Sequence, residues 1–327
     1  MKDNMNWIKY STLTFILSVS LLVLLFVGDM IAKRVLDLGE PIVYDSHALW
    51  GYAPRENRIY QRFGESIVTI NNVGARGEEN WNDNGNNIIF LGDSVTYGGS
   101  YIDDNQTFSS LSCKIIENWV CHNVGVNAYG VLNMVARSRY DNRISSAPLR
   151  IFTFITGDFD RGLENSDAAH FILREPPKYL SGLWEIMNFI AAKVNISPKK
   201  LFGKKSDIND IKSLDEAQRI KREFAFDVLI MELQRLDQIG LKFLLVHSPG
   251  AGELTGIKIP NNNPIFRKLS LLYPDRFVFL SDVLINYYKN DDKQIYRDGL
   301  HYEKYGHLLV SRYLSPKIAQ IIQEELK

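Results

Sequence analysis

The stretch Ile88-Ile89-Phe90-Leu91-Gly92-Asp93-Ser94-Val95-Thr96-Tyr97-Gly98 decides how this chain is read. Four apolar residues closed by a glycine have the length and texture of a strand buried on both faces. A serine directly after such a strand, opening a helix, stands at the open edge of a sheet. There the helix N-terminus offers N–H groups and a partial positive charge to a developing oxyanion. Taken alone, Gly-Asp-Ser is equally the signature of a turn with a capping serine.

Four further apolar runs repeat the strand pattern: Val120–Val126, Arg150–Thr156, Lys242–His247 and Arg276–Leu280. Helical stretches separate them. In Glu216–Ile239 the residues Phe226, Leu229, Ile230, Leu233 and Leu236 fall on one face, and Gly240 supplies a C-terminal cap. A last helix runs from near Glu303 towards Lys327. Strand–helix alternation of this kind predicts a doubly wound α/β sandwich, with ligands beyond the carboxyl ends of the strands. Two regions break the alternation. Residues 32–85 precede the first strand, and an insert at 161–214 holds an amphipathic piece, Leu183–Val194, and a lysine-rich loop, Lys199–Lys205. The asparagine-rich Asn82–Asn87 and Asn261–Asn263 read as loops.

Tyr10 to Gly28 carries no charge and matches the apolar thickness of a bilayer as a helix. The alternative is a cleaved signal, but Gly28-Asp29-Met30-Ile31-Ala32-Lys33 is a poor cleavage site. The expected organisation is a cytoplasmic tail at 1–9, a single-pass anchor at 10–31, a membrane-proximal segment at 32–85 and a large domain at 86–327. Lys2 and Lys9 precede the span while Lys33 and Arg34 follow it, so charge gives no vote on orientation. The short tail favours the bulk of the chain outside the cytoplasm. Lys+Arg and Asp+Glu each number 38, a balance that argues against nucleic acid as the main partner. The only cysteines, Cys113 and Cys121, fit neither a zinc nor a redox motif. They are either a disulfide, in an oxidising compartment, or two free thiols.

Asp298-Gly299-Leu300-His301 lies between the fifth strand and the last helix. A serine hydroxyl is a weak nucleophile until a base takes its proton, and histidine titrates near neutrality. An aspartate three residues before that histidine reaches the other ring nitrogen and fixes the tautomer. His247 and His307 are weaker candidates for the base. No His/Cys/carboxylate cluster has metal-ligand spacing, and no cofactor is implied.

Together the Gly-Asp-Ser and Asp-x-x-His blocks resemble those of the SGNH (GDSL-type) hydrolase superfamily, over about residues 86–327. The resemblance implies a flavodoxin-like three-layer sandwich, a parallel five-stranded sheet of order 2-1-3-4-5. It also implies Ser94 as nucleophile, His301 as base and Asp298 as its orienter, with the N–H of Ser94 in the oxyanion hole. The family's second block places a glycine where this chain has Ala128, beside Asn127. Its third block, Gly-x-Asn-Asp, aligns with Gly157-Asp158-Phe159-Asp160. Phe159 takes the register of the donor asparagine. Asp158 is the nearest polar substitute, able to donate only if protonated, and Asn127 is the other candidate donor.

Thr69–Gly77, Gly98-Gly99-Ser100 and Asp103–Phe108 resemble membrane-attached bacterial SGNH proteins linked to cell-surface polysaccharides, including the alginate O-acetylation type. Within that resemblance Arg76 is either a substrate contact or a brace for its loop. The function implied is a serine esterase removing acyl groups, acetyl foremost, from an extracytoplasmic glycan. Two alternatives stand beside it. One is an O-acyltransferase using the same triad with a multi-span acyl-donor partner. The other is a catalytically silent binding or assembly protein, which the missing asparagine motivates.

Overall fold

The computed structural model describes residues 2–62, 66–163, 175–194, 208–256, 264–290 and 294–325. Lys199–Lys205 and Asn261–Asn263 lie outside the described residues, as does part of the insert.

Five parallel strands form the central sheet: β5 (Asn87–Leu91), β6 (Val120–Asn123), β7 (Leu149–Phe154), β8 (Lys242–His247) and β9 (Phe277–Phe279). Their spatial order is β6-β5-β7-β8-β9, the expected 2-1-3-4-5. Strand periodicity divides their side chains between two cores. Ile89, Leu91, Phe152, Phe154, Phe243 and Leu245 face one side. There they meet α4 (Val131–Tyr140) and α6 (Ile208–Gln238). Ile88, Phe90, Leu149, Ile151, Leu244 and Val246 face the other, against α10 (Lys304–Glu325). The result is a three-layer sandwich.

Two strands end earlier than their apolar runs. Val124 and Val126 leave β6, yet their N–H groups still donate to Phe90 O and Gly92 O at 2.8 and 3.1 Å. After Phe154 the backbone tightens into a 3₁₀ turn, Thr156–Asp160. Helix α6 begins before the expected Glu216 and ends at Gln238. Gly240 follows with φ +78°, and Leu241 N–H reaches back to Leu236 O at 2.9 Å. Phe226, Leu229, Leu233 and Leu236 are buried as the pattern requires, with Ile230 at the margin.

Residues 32–85 hold two antiparallel hairpins that the apolar pattern did not reveal. They are β1 (Tyr44–His47) with β2 (Gly51–Pro54), and β3 (Arg58–Arg62) with β4 (Ser66–Ile70). β4 alternates in burial, but across the second hairpin the buried positions do not match the apolar residues: Arg62 and Ser66 are buried while Ile59 and Ile67 are exposed, so apolar periodicity carries no signal. Tyr44, Tyr52, Tyr60, Val68 and Ile70 enter the same core as α4 and α6. Isolated bridges from Ile70 to Arg76 and from Arg76 to Asn123 attach the second hairpin to the sheet edge. A disulfide joins Cys113, at the end of α3 (Phe108–Cys113), to Cys121 in β6, with Cα atoms 5.8 Å apart. Helix α1 (Lys2–Leu36) is 35 residues long. Its Tyr10–Leu36 portion, within which an 18-residue window has a mean hydropathy of 2.5, is long and apolar enough to cross a membrane.

Three histidines are sealed in the body. His122 lies between Asn87 Oδ1 at 2.9 Å and Asn71 Nδ2 at 3.4 Å, and burial pushes its pKa down to about 4. Burial likewise pushes His247 and His307 down to about 3. His307 Nδ1 accepts the Phe108 N–H at 3.0 Å. All three stay neutral when folded but take protons in the unfolded chain below about pH 6.5. Because the folded pKa values are depressed, the stability they contribute is complete above that pH and is lost as pH falls towards 4. Denaturant titrations in detergent should show unfolding free energy declining between pH 6.5 and 4.5, by at most about 1.4 kcal/mol per histidine per pH unit.

Candidate active site

Ser94 opens α2 (Ser94–Tyr97) directly beyond the C-terminal end of β5. Asp93 caps this turn, its Oδ1 accepting the Val95 N–H at 2.9 Å. Two glycines make the approach possible. A Cβ on Gly92 would stand 2.0 Å from Thr96 Oγ1, and one on Gly125 would stand 2.5 Å from Tyr97 N. The asparagine at the end of β6 fastens the turn from the other side. Asn123 Nδ2 donates to Thr96 O at 2.7 Å, while its Oδ1 accepts Gly125 N–H at 3.0 Å.

The loop after α9 (Ser281–Asn290) brings Asp298 and His301 to the same edge. Tyr296 and Tyr302 bridge across its base, and Arg297 N–H donates to His301 O at 2.8 Å. Ala251 N–H holds Gly299 O at 2.8 Å, and the Tyr302 and Ser248 hydroxyls meet at 2.6 Å. So fixed, His301 Nε2 lies 2.8 Å from Ser94 Oγ, and His301 Nδ1 lies 2.7 Å from Asp298 Oδ2. An ionised carboxylate only accepts, so Nδ1 carries the proton and Nε2 is left to accept from the serine hydroxyl. Burial tends to raise the pKa of Asp298. The His301 N–H, the His301 ring and the Leu300 N–H outweigh it and hold the carboxyl below its usual range.

The other expected site residues separate. Ala128 takes φ +65°, the left-handed region where the family has glycine, at a cost of about 1 kcal/mol. Among the described residues, neither its N–H nor that of Ser94 meets a protein acceptor. Asn127 turns its side-chain amide to Tyr44 Oη at 2.9 Å, and its carbonyl accepts the Tyr52 hydroxyl at 2.6 Å. Hairpin residues thus wall this loop.

Asp158, the expected stand-in donor, is corrected. It is fully buried, its Oδ2 accepts the Ile155 N–H at 2.9 Å, and its Oδ1 pairs with Arg161 Nη1 at 2.7 Å. Both oxygens therefore act as acceptors in a turn. Phe159 packs into the core against Phe154 and Phe266. Of the two readings of Arg76, substrate contact or brace, its surroundings match the brace. It is 2% exposed, pairs with Asp104 at 2.7 Å, and donates to the carbonyls of Tyr97, Gly99 and Ile102. It braces the loop beyond α2. His247 and His307 are core residues.

Arg161 was not singled out by its sequence context, because a lone arginine after a turn carries no pattern. Its Nη1 sits 3.3 Å from Asp93 Oδ2, 2.7 Å from Asp158 Oδ1 and 2.6 Å from Tyr129 O. Burial, and Asp93 across the guanidinium, push the Asp158 carboxyl well up. Burial also raises Asp93, against the pull of Arg161 and the Val95 N–H. An open cleft of about 360 Å³ lies beside Leu300, between Thr156-Gly157 and the turn at Gly250–Glu253. Among the described residues, nothing lies within 4 Å of where a Cβ on Gly157 or Gly252 would stand.

No family model matches the chain, and no curated protein matches it. Solved structures similar to it include a lipolytic G-D-S-L family protein from Veillonella parvula. That structure has 13% identity and a TM-score of 0.39, over 72% of this chain and 98% of its own. A lipase/acylhydrolase from Enterococcus faecalis has 12% identity and a TM-score of 0.42, over 72% and 95%. A catalytic mutant of an acetylxylan esterase from Geobacillus stearothermophilus has 11% identity and a TM-score of 0.43, over 72% and 94%.

Arg161→Met should leave two buried carboxyl groups competing for one proton with no guanidinium between them, and cost about 2–3 kcal/mol of stability. Adding Asp158→Asn should recover most of that loss, since it removes one of the two competing carboxyl groups. Thermal unfolding in detergent reads both.

Proposed function

We propose that this chain is a serine esterase that removes acyl groups, acetyl foremost, from an extracytoplasmic glycan. The observation that carries the proposal is the hydrogen-bonded line Ser94–His301–Asp298, at 2.8 and 2.7 Å. As Ser94 Oγ bonds to the ester carbonyl carbon, its proton passes to His301 Nε2, and the carbonyl oxygen becomes an oxyanion. Asp298 stabilises the imidazolium through Nδ1 and does not itself take the proton. His301 then gives the proton to the departing sugar hydroxyl, leaving an acyl-enzyme on Ser94. Water, deprotonated by the same imidazole, releases the carboxylic acid and restores the serine.

The donors for the oxyanion are the N–H groups of Ser94 and Ala128, both without a protein partner among the described residues. The family's third donor has no counterpart in the turn at Thr156–Asp160. Loss of one such donor costs on the order of 10²–10³ in rate, so turnover should be slow beside a three-donor enzyme. Asp298 is about half exposed, which suits a polymer laid across the surface. The Cys113–Cys121 disulfide and the apolar α1 support a membrane-attached domain in an oxidising compartment.

Full-length protein in detergent should hydrolyse a small activated acetate ester and react with a fluorophosphonate probe. Ser94→Ala should remove both signals. Unchanged hydrolysis in that variant refutes the assignment, and failure of folded wild-type protein to label favours a silent binding protein. Gly157→Leu should fill the cleft beside Leu300. We expect it to raise KM for an acetylated polysaccharide several-fold while leaving the small ester unaffected, as steady-state kinetics on both substrates will show.

A further inference from the structure

We propose that α5 (Ser181–Val194) is a second membrane-contacting element, lying at the bilayer surface with Met187, Phe189 and Ile190 in lipid. The inference rests on reading α1 as a membrane span and is independent of the chemistry at Ser94.

The two helices are locked together where the apolar run ends. Asp29 is the first charged residue after Lys9. Its Oδ1 accepts the N–H groups of Gly182 and Leu183 at 2.8 and 3.1 Å, and its Oδ2 pairs with Lys33 at 2.7 Å. A carboxylate of α1 therefore satisfies the free donors at the start of α5 and complements its dipole. Small residues allow the close approach. A Cβ on Gly182 would stand 2.9 Å from Ala32 Cβ, and one on Gly28 would stand 3.5 Å from Leu183. Helix α5 thus begins at the level where α1 leaves the hydrocarbon.

Its composition fits that depth. From Ser181 to Ile190 the only charge is Glu185. Glu185 turns inward to the Gly39 N–H and to a buried ion pair with Arg62. What faces outward is apolar: Met187 is 66% exposed, Ile190 51% and Phe189 46%. Tyr179, 75% exposed, stands just before the helix, and Tyr and Trp side chains favour the interface. At 14 residues α5 is about 21 Å long, too short for a hydrocarbon core of about 30 Å. An apolar helix of that length beside a span belongs at the surface of the bilayer.

The arrangement also transmits position. The Arg62–Glu185 pair ties α5 to β3, whose hairpin is bridged to the sheet through Arg76, and Arg76 braces the carbonyls behind α2. The attitude of Ser94 to the membrane is then set by two helices instead of one.

The test uses full-length protein in phosphatidylcholine–phosphatidylglycerol vesicles. Met187→Cys, Phe189→Cys, Ile190→Cys, Val19→Cys in α1 and Arg219→Cys in α6 are each spin-labelled, the native cysteines being bonded to each other. Collision rates with oxygen and with a neutral nickel chelate are then compared. The oxygen-to-nickel ratio at 187, 189 and 190 should exceed that at 219 several-fold, with 19 higher still. Nickel access at 187–190 equal to that at 219, while 19 reads as lipid, overturns the proposal. Protection from both reagents at 187–190 also overturns it, because a protein partner or a second copy then covers the face. A water-like ratio at 19 removes the span and the proposal with it.

Discussion

One hydrogen bond, from Ser94 to His301, joins side chains 207 positions apart and sets the terms for the rest of the molecule. No local preference can create it. It forms because parallel strands carry every β-to-α turn to the same edge of the sheet. The serine leaves β5 at that edge, and the loop that returns the chain to α10 crosses it. A bond 2.8 Å long tolerates little movement of either partner, so both loops are over-determined. Gly92 and Gly125 let backbone approach backbone beneath Ser94, and the Tyr296–Tyr302 bridge closes the loop that carries His301.

Buried and half-buried arginines do much of the fastening. Arg76 gathers three carbonyls and Asp104, Arg161 separates two buried carboxyl groups beside Ser94, and Arg62 joins the insert to the first hairpins. A planar guanidinium with five donors can satisfy several loop carbonyls at once where water is excluded. Each of these side chains costs desolvation, which is repaid only while every partner stays in place. The loops around Ser94 therefore hold together as a set, and helix α1 is drawn into the same set through Asp29 and α5.

Strand and helix order was legible because both cores depend on patterns a chain displays openly. These are apolar runs for strands buried on both faces and helical spacing in α6. Ser94, Asp298 and His301 were legible for a different reason. They sit at the ends of elements, and those ends carry turn chemistry. The hairpins at 44–70 were not legible, since burial there does not follow residue type: Arg62 and Ser66 are inside while Ile59 and Ile67 are outside. Arg161 escaped notice because its partners, Asp93, Tyr129 and Asp158, come from three separate turns. Asp158 and Arg76 had the right types for a site, and only the burial of every polar atom on them shows that they brace loops.

By itself the sequence determined the α/β alternation, the apolar N-terminal helix and the identity of a hydroxyl, an imidazole and a carboxylate suited to ester chemistry. Those features are local, written in the period and residue type of single segments. Tertiary structure alone decided that the hydroxyl and imidazole touch, that the two cysteines bond, and that Asp158 accepts where a donor was sought. It also decided that α5 meets α1 at Asp29. Each of these depends on groups far apart along the chain, and distances between such groups are fixed by packing, which no stretch of sequence contains.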